Sequence, residues 1–238
     1  FGKTGQGHNW GFESLLYVNG EPYQGVGSNH MEVFLTEEMI GQRIELLFKV
    51  WSGLNGDTGL RFDWEHEIRQ SALAVLDVDT DDFYYTSYAV RETLKVLNEN
   101  SYEYNRLLKA LDRAYLLVDW RQAGSETFYS SIRAANEQLK ADIEAIPKSS
   151  DVTVRCIGHT HIDVAWLWRL KHTREKAARS FSTVLRLMDQ YPEYTFLQTQ
   201  PQLYDDLKRD YPQIYEKIEK RVQDGRWEAG GAMWLESD

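Results

Sequence analysis

The sequence holds a single cysteine, Cys156, among its 238 residues. One thiol closes no intrachain disulfide, so the chain is not a small secreted scaffold stapled by bridges. It also lacks a run of 18 apolar residues that could span a bilayer and any signal-peptide pattern, which points to a cytoplasmic location. Positive charge is short. Lys and Arg number 27 against 37 Asp and Glu, a formal net charge of −10. That balance argues against a nucleic-acid backbone or an anionic membrane as the main partner. Internal repeats and low-complexity segments are missing too.

The remaining composition is that of a globular chain with room for one or two domains and a sizeable core. Aromatic residues are plentiful, at 8 Trp, 14 Tyr and 9 Phe. Flat apolar rings suit sugar faces, although in most proteins most of them pack the core.

In chain order, residues 1–78 read as an antiparallel, sandwich- or jelly-roll-like β region. Leu15-Leu-Tyr-Val18 runs into Asn19-Gly20, a hairpin signal. Glu32-Val-Phe-Leu35, Ile44-Glu-Leu-Leu-Phe-Lys-Val-Trp51 and Ala72-Leu-Ala-Val-Leu-Asp77 are expected strands, with a turn at Asn55-Gly56-Asp57. Trp10, Trp51 and Trp64 could bind carbohydrate there, or serve only as packing. Residues 79–148 read as a helical linker or bundle. The first helix is expected to bury Tyr84, Tyr88, Val90, Leu94 and Leu97. Ser101 should cap a second helix, and a third should run from Glu126 to Ile146, ended by Pro147.

Residues 149–238 show a strand, helix, strand, helix, strand rhythm, the pattern of a parallel sheet or α/β barrel with its site at the carboxyl edge. Val152, Val154, Cys156 and Ile157 predict a short buried strand. Beyond it come His159, His161 and Asp163, then Trp166 and Trp168. Imidazole and carboxylate are ligands that zinc accepts. His161 and Asp163 are two apart, so an extended backbone sends both side chains to one face. His159 shares that parity and could be a third ligand or a group that orients a ligand from behind. His-x-Asp pairs are common by chance, but the strand, glycine and aromatic pair around this one strengthen the metal reading. A later strand end carries Glu236 and Asp238. A metal held by His161, Asp163 and Asp238 would leave positions open for substrate oxygens.

Three blocks carry a resemblance to a known family: Gly158-His-Thr-His-Ile-Asp-Val-Ala-Trp-Leu-Trp168, Phe196-Leu-Gln-Thr-Gln-Pro-Gln-Leu-Tyr204 and Gly225-Arg-Trp-Glu-Ala-Gly-Gly-Ala-Met-Trp-Leu-Glu-Ser-Asp238. In this order they resemble the N-terminal portion of bacterial-type glycoside hydrolase family 38 α-mannosidases. The resemblance implies a zinc-dependent retaining α-mannosidase acting on mannose-containing oligosaccharides. His161 and Asp163 match zinc ligands, Asp238 matches the aspartate that is both zinc ligand and nucleophile, and Trp166 matches an aromatic that packs on the bound mannose. It also implies an incomplete barrel of the seven-stranded type, whose general acid and last zinc-ligand histidine lie beyond Asp238. A fragment of a longer protein is expected, inactive on its own, with the oligomeric state of the longer enzyme left open. Two other readings stand beside this one. One is a metal-dependent polysaccharide deacetylase, using metal-bound water in place of a carboxylate nucleophile. The other is a non-catalytic carbohydrate-binding or scaffold segment.

Overall fold

The computed structural model describes residues 13–27, 30–51, 71–147, 152–166, 168–231 and 233–235. Two compact units emerge: the described parts of 1–71 and 155–238 form one, and 72–154 forms the other.

The first unit opens with a three-stranded antiparallel sheet of β1 (Glu13–Val18), β2 (Glu21–Gly27) and β3 (Leu46–Trp51), in the order β2-β1-β3. Asn19 and Gly20 join β1 to β2 with φ values of 50° and 85°. Two successive left-handed residues match the twist of a hairpin, which is why Asn-Gly occupies the turn. Leu16, Val18 and Val26 pack on one face with Tyr23, Val33, Ile44 and Phe48. Leu15 faces the other way, into a larger core.

The expected strand at 32–35 is irregular. It is held by side chains instead of a ladder: Gln24 Nε2 donates to the Glu32 carbonyl at 2.9 Å and the Tyr23 hydroxyl to the Phe34 carbonyl at 2.6 Å. Residues 72–77 are also irregular, with Leu73 and Val75 exposed and no strand paired to them. An apolar run alone does not make a strand; it needs an edge to pair with. The turn expected at Asn55-Gly56-Asp57 lies outside the described residues, as do Trp10 and Trp64.

The second unit is a three-helix bundle of α1 (Val78–Leu94), α2 (Tyr102–Leu117) and α3 (Glu126–Glu144). Each helix starts on a side-chain cap. Asp77 Oδ1 accepts from Thr80 N at 2.8 Å, Ser101 Oγ from Tyr104 N at 3.1 Å and Ser125 Oγ from Phe128 N at 3.1 Å. The core holds Phe83, Val90, Ala110, Ala114, Val118, Ile132, Ala135 and Leu139. The inward face of α1 is Phe83, Ser87 and Val90 with Leu94 beside them, so the expected Val90 and Leu94 meet the core while Tyr84 and Tyr88 are exposed. Each Tyr carries a hydroxyl that burial would strip of water, whereas Phe83 does not. Ala110 and Ala114, instead of the bulkier Leu108 and Leu116, line the buried face of α2.

The rest of the first unit is α/β. Strands β4 (Gly158–His159), β5 (Phe196–Leu197) and β6 (Trp227–Glu228) form a parallel sheet in the order β4-β5-β6, and α4 (Leu170–Gln190), α5 (Pro201–Asp210) and α6 (Pro212–Gln223) pack with it. The predicted buried strand at 152–157 is absent. The strand itself starts where Gly158 N donates to the Thr195 carbonyl, and Val152, Val154 and Ile157 are exposed. One face of α4 is buried: Ala177, Phe181, Val184, Leu185 and Met188 pack with Phe196, Leu203, Leu207, Ile214, Ile218 and Trp227. Trp227 Nε1 donates to Tyr204 Oη, which donates to the Gln198 carbonyl, and burial pushes the Tyr204 phenol up to about 12. Pro201 starts α5, as suits a residue whose missing N–H would have no partner there. Gly225 follows α6 at φ 68° as expected.

The antiparallel sheet lies against α4. Gly25 N donates to Thr183 Oγ1 at 3.0 Å, and a Cβ on Gly25 would sit 3.0 Å from the Arg179 carbonyl oxygen. Lys49 pairs with Glu175 at 2.9 Å, and Glu13 pairs with Arg179 and, at 3.5 Å, Lys176. Among the described residues no helix is long and apolar enough to cross a membrane.

Candidate metal and sugar site

The site grows from the carboxyl end of β4. Gly158 brings the backbone close under Tyr194, and His159 follows with its ring turned to the neighbouring strand, where Nδ1 donates to the Leu197 carbonyl at 2.9 Å. A carbonyl only accepts, so this bond places the proton on Nδ1.

Ile162 is fully buried and faces the core. Its neighbours on either side are thereby directed together away from the core, and His161 Nε2 lies 2.8 Å from Asp163 Oδ1. The imidazole is the open member of the pair and the carboxylate the shielded one, with side-chain exposures of 59% and 18%. The period-two expectation for these two residues is met without a β-ladder, because the anchored Ile162 enforces it.

Residues 164–168 are held to the first turns of α4. Thr173 Oγ1 donates to the Val164 carbonyl and accepts from Trp168 Nε1 at 3.1 Å. Trp168 is buried; Trp166 stands half-open, edge-on to it at 5.4 Å and 83°. The buried Lys176 ammonium lies 5.1 Å from the Trp168 ring centroid. Burial pushes the Lys176 pKa down, while Glu13 and, more weakly, Asp163 pull it back. Trp51 packs against this helix, 5.6 Å from the His172 ring and 5.7 Å from the Arg179 guanidinium.

Glu236 and Asp238 lie outside the described residues. The segment leading to them is anchored at the start of α5: Gln202 N donates to the Trp234 carbonyl at 3.3 Å, and Trp234 Nε1 to Gln202 Oε1 at 2.9 Å. Gln200 donates from Nε2 to the Ile162 carbonyl at 3.1 Å. Sequence reasoning assigned no role to either glutamine. The signal available was their spacing, two apart and flanking Pro201 at the end of a strand.

The imidazole nitrogen and the carboxylate oxygen, 2.8 Å apart, are at hydrogen-bond distance, and both are ligand types that zinc accepts. Among the described residues no group of three or more His, Cys, Asp or Glu gathers that could hold an ion. The structure thus unites two of the expected ligands and turns His159 toward Leu197.

A parallel sheet with an imidazole, a carboxylate and a half-open tryptophan beyond its strand ends is an α/β domain of the kind that binds ligands at the carboxyl edge. Comparison with known proteins adds a likeness. Residues 151–238 match the glycosyl hydrolases family 38 N-terminal domain. The chain is 40% identical over 114 residues to alpha-mannosidase G of Dictyostelium discoideum, covering 48% of this chain and 10% of that protein. It is 27% identical over 241 residues to alpha-mannosidase 2C1 of Mus musculus, covering 95% and 22%. With an alpha-mannosidase of Saccharomyces cerevisiae the identity is 36% over 121 residues, covering 46% and 11%. The chain therefore spans less than a quarter of the length of these relatives.

Proposed function

We propose that this chain is the N-terminal part of a zinc-dependent retaining α-mannosidase that hydrolyses α-mannosidic bonds in oligosaccharides. The observation that carries the reading is the meeting of His161 and Asp163 at the carboxyl edge of a parallel sheet, within the portion that matches family 38. The three names above, all α-mannosidases, supply the substrate class. The parallel strands are the first of an α/β barrel.

His161, Asp163 and Asp238 would hold the zinc, with His159 orienting the group from behind. When bound, zinc supplies Lewis-acid contact to vicinal sugar hydroxyls and favours a distorted ring. Trp166 offers its half-open ring to the apolar face of mannose. Asp238 attacks the anomeric carbon, and a second carboxylic acid about 5 Å away protonates the leaving oxygen.

The test is to purify the complete natural polypeptide, measure its zinc and assay an aryl α-mannoside with and without chelator. Trapping a glycosyl adduct on Asp238 supports the carboxylate mechanism. Deacetylation without adduct, or sugar binding that survives chelation with no turnover, overturns it.

A further inference from the structure

The turn between β5 and α5 touches both segments that bear the proposed ligands, and it does so from a costly conformation. Gln200 is a non-glycine residue at φ 64°, ψ 81°, a left-handed region that an L side chain adopts only when its surroundings require it. Its side chain is buried, at 2% exposure, and its amide reaches the carbonyl of Ile162, the residue between His161 and Asp163. Two positions on, Gln202 holds Trp234 through the paired bonds described above, four residues before Asp238.

Ile162 is therefore fixed twice, by its side chain in the core and by its carbonyl on Gln200. A peptide held at both ends cannot rotate, and its rotation is what would separate the His161 and Asp163 side chains. We infer that Gln200 is a positioning residue for the metal site, setting the spacing of the His161–Asp163 pair. This rests on the zinc reading above. The strain at Gln200 fits such a role: a glycine would relieve the backbone but could not reach Ile162.

The test is zinc affinity, measured by chelator competition on the complete metal-loaded protein, alongside thermal stability. Q200E keeps the size but turns the donor into an acceptor facing a carbonyl. Q200G removes the donor and relieves the strain, so its folding stability should stay close to wild type. Both should weaken zinc binding about tenfold to a hundredfold, the range for losing a group that orients a metal ligand. A Q200G protein that is stable and binds zinc as the wild type does overturns the inference, as does loss of stability with unchanged zinc affinity. If the wild-type protein binds no zinc, the metal reading itself falls, and this role with it.

Discussion

Gly158 and Tyr194 claim the same volume. A Cβ added at Gly158 would lie 2.7 Å from Tyr194 Cζ and closer still to the hydroxyl, and Tyr194 is itself half-buried against the core. The strand that leads into His159 can sit in register with β5 only because residue 158 has no side chain. Gly158→Ala should therefore destabilise by about 1–3 kcal/mol, the usual cost of overpacking. The Gly158→Ala, Tyr194→Ala double variant should lose less than the sum of the two single changes, because the clash is gone. Urea denaturation of the four proteins checks this, and strict additivity would refute the shared-volume account.

Glu13 answers two buried cations. Its carboxylate meets Lys176 and Arg179, whose side chains are only 11% and 9% exposed. Glu13→Ala leaves both charges uncompensated and should cost about 3 kcal/mol. It should also lower the Lys176 pKa further, since Glu13 is the strongest influence raising it against burial. A lysine whose folded pKa lies below its unfolded value makes stability rise as pH climbs through that folded pKa. The variant should accordingly regain part of its loss in alkali, and a loss that is flat with pH would contradict this account.

His161→Ala should remove zinc and activity together if the pair holds the metal. Elemental analysis of the purified complete protein is the check. Full zinc occupancy in the variant would release His161 from the ligand set.

Trp166→Ala should weaken mannoside or inhibitor binding by about 1–3 kcal/mol while leaving zinc content unchanged, the range for losing an aromatic contact. Calorimetry with a mannose-type inhibitor measures it. Wild-type affinity would return Trp166 to a packing role beside Trp168.

Asp119 is held down to about 2 by Arg121, chiefly through side-chain hydrogen bonds and then through the Arg121 backbone N–H. Its folded pKa lies below the ordinary value of about 3.9, so its contribution to stability is present above that pH. The contribution fades as pH falls from about 4 toward about 2. The carboxyl carbon of Asp119, followed by NMR through an acid titration, should show a midpoint near the lower value. A midpoint near 4 would remove this link.

Several elements were legible because they depend on near neighbours. Ser101 and Ser125 cap the helices that follow them since a short side chain can reach an amide three residues on. Asn19-Gly20 turns because it tolerates positive φ. The buried face of α4 follows from helical period alone. The misread elements were those that depend on a distant partner. Residues 72–77 and 152–157 are apolar enough for strands, yet neither run takes up strand structure. Val90 and Leu94 of the expected α1 stripe do meet the core, but Phe83 and Ser87 take the inward places expected for Tyr84 and Tyr88.

By itself the sequence named the candidates His161, Asp163 and Trp166, through their spacing and the blocks around them. Only the tertiary structure decided how they are held. The Ile162 carbonyl is bound by Gln200, 38 residues away, and the turn of 164–168 is closed by Thr173 on α4. The Glu13 carboxylate of the first strand meets Lys176 and Arg179 across more than 160 residues of chain. Local propensity acts over a turn or two of backbone, whereas these bonds exist only once the core has brought β5, α4 and β1 together.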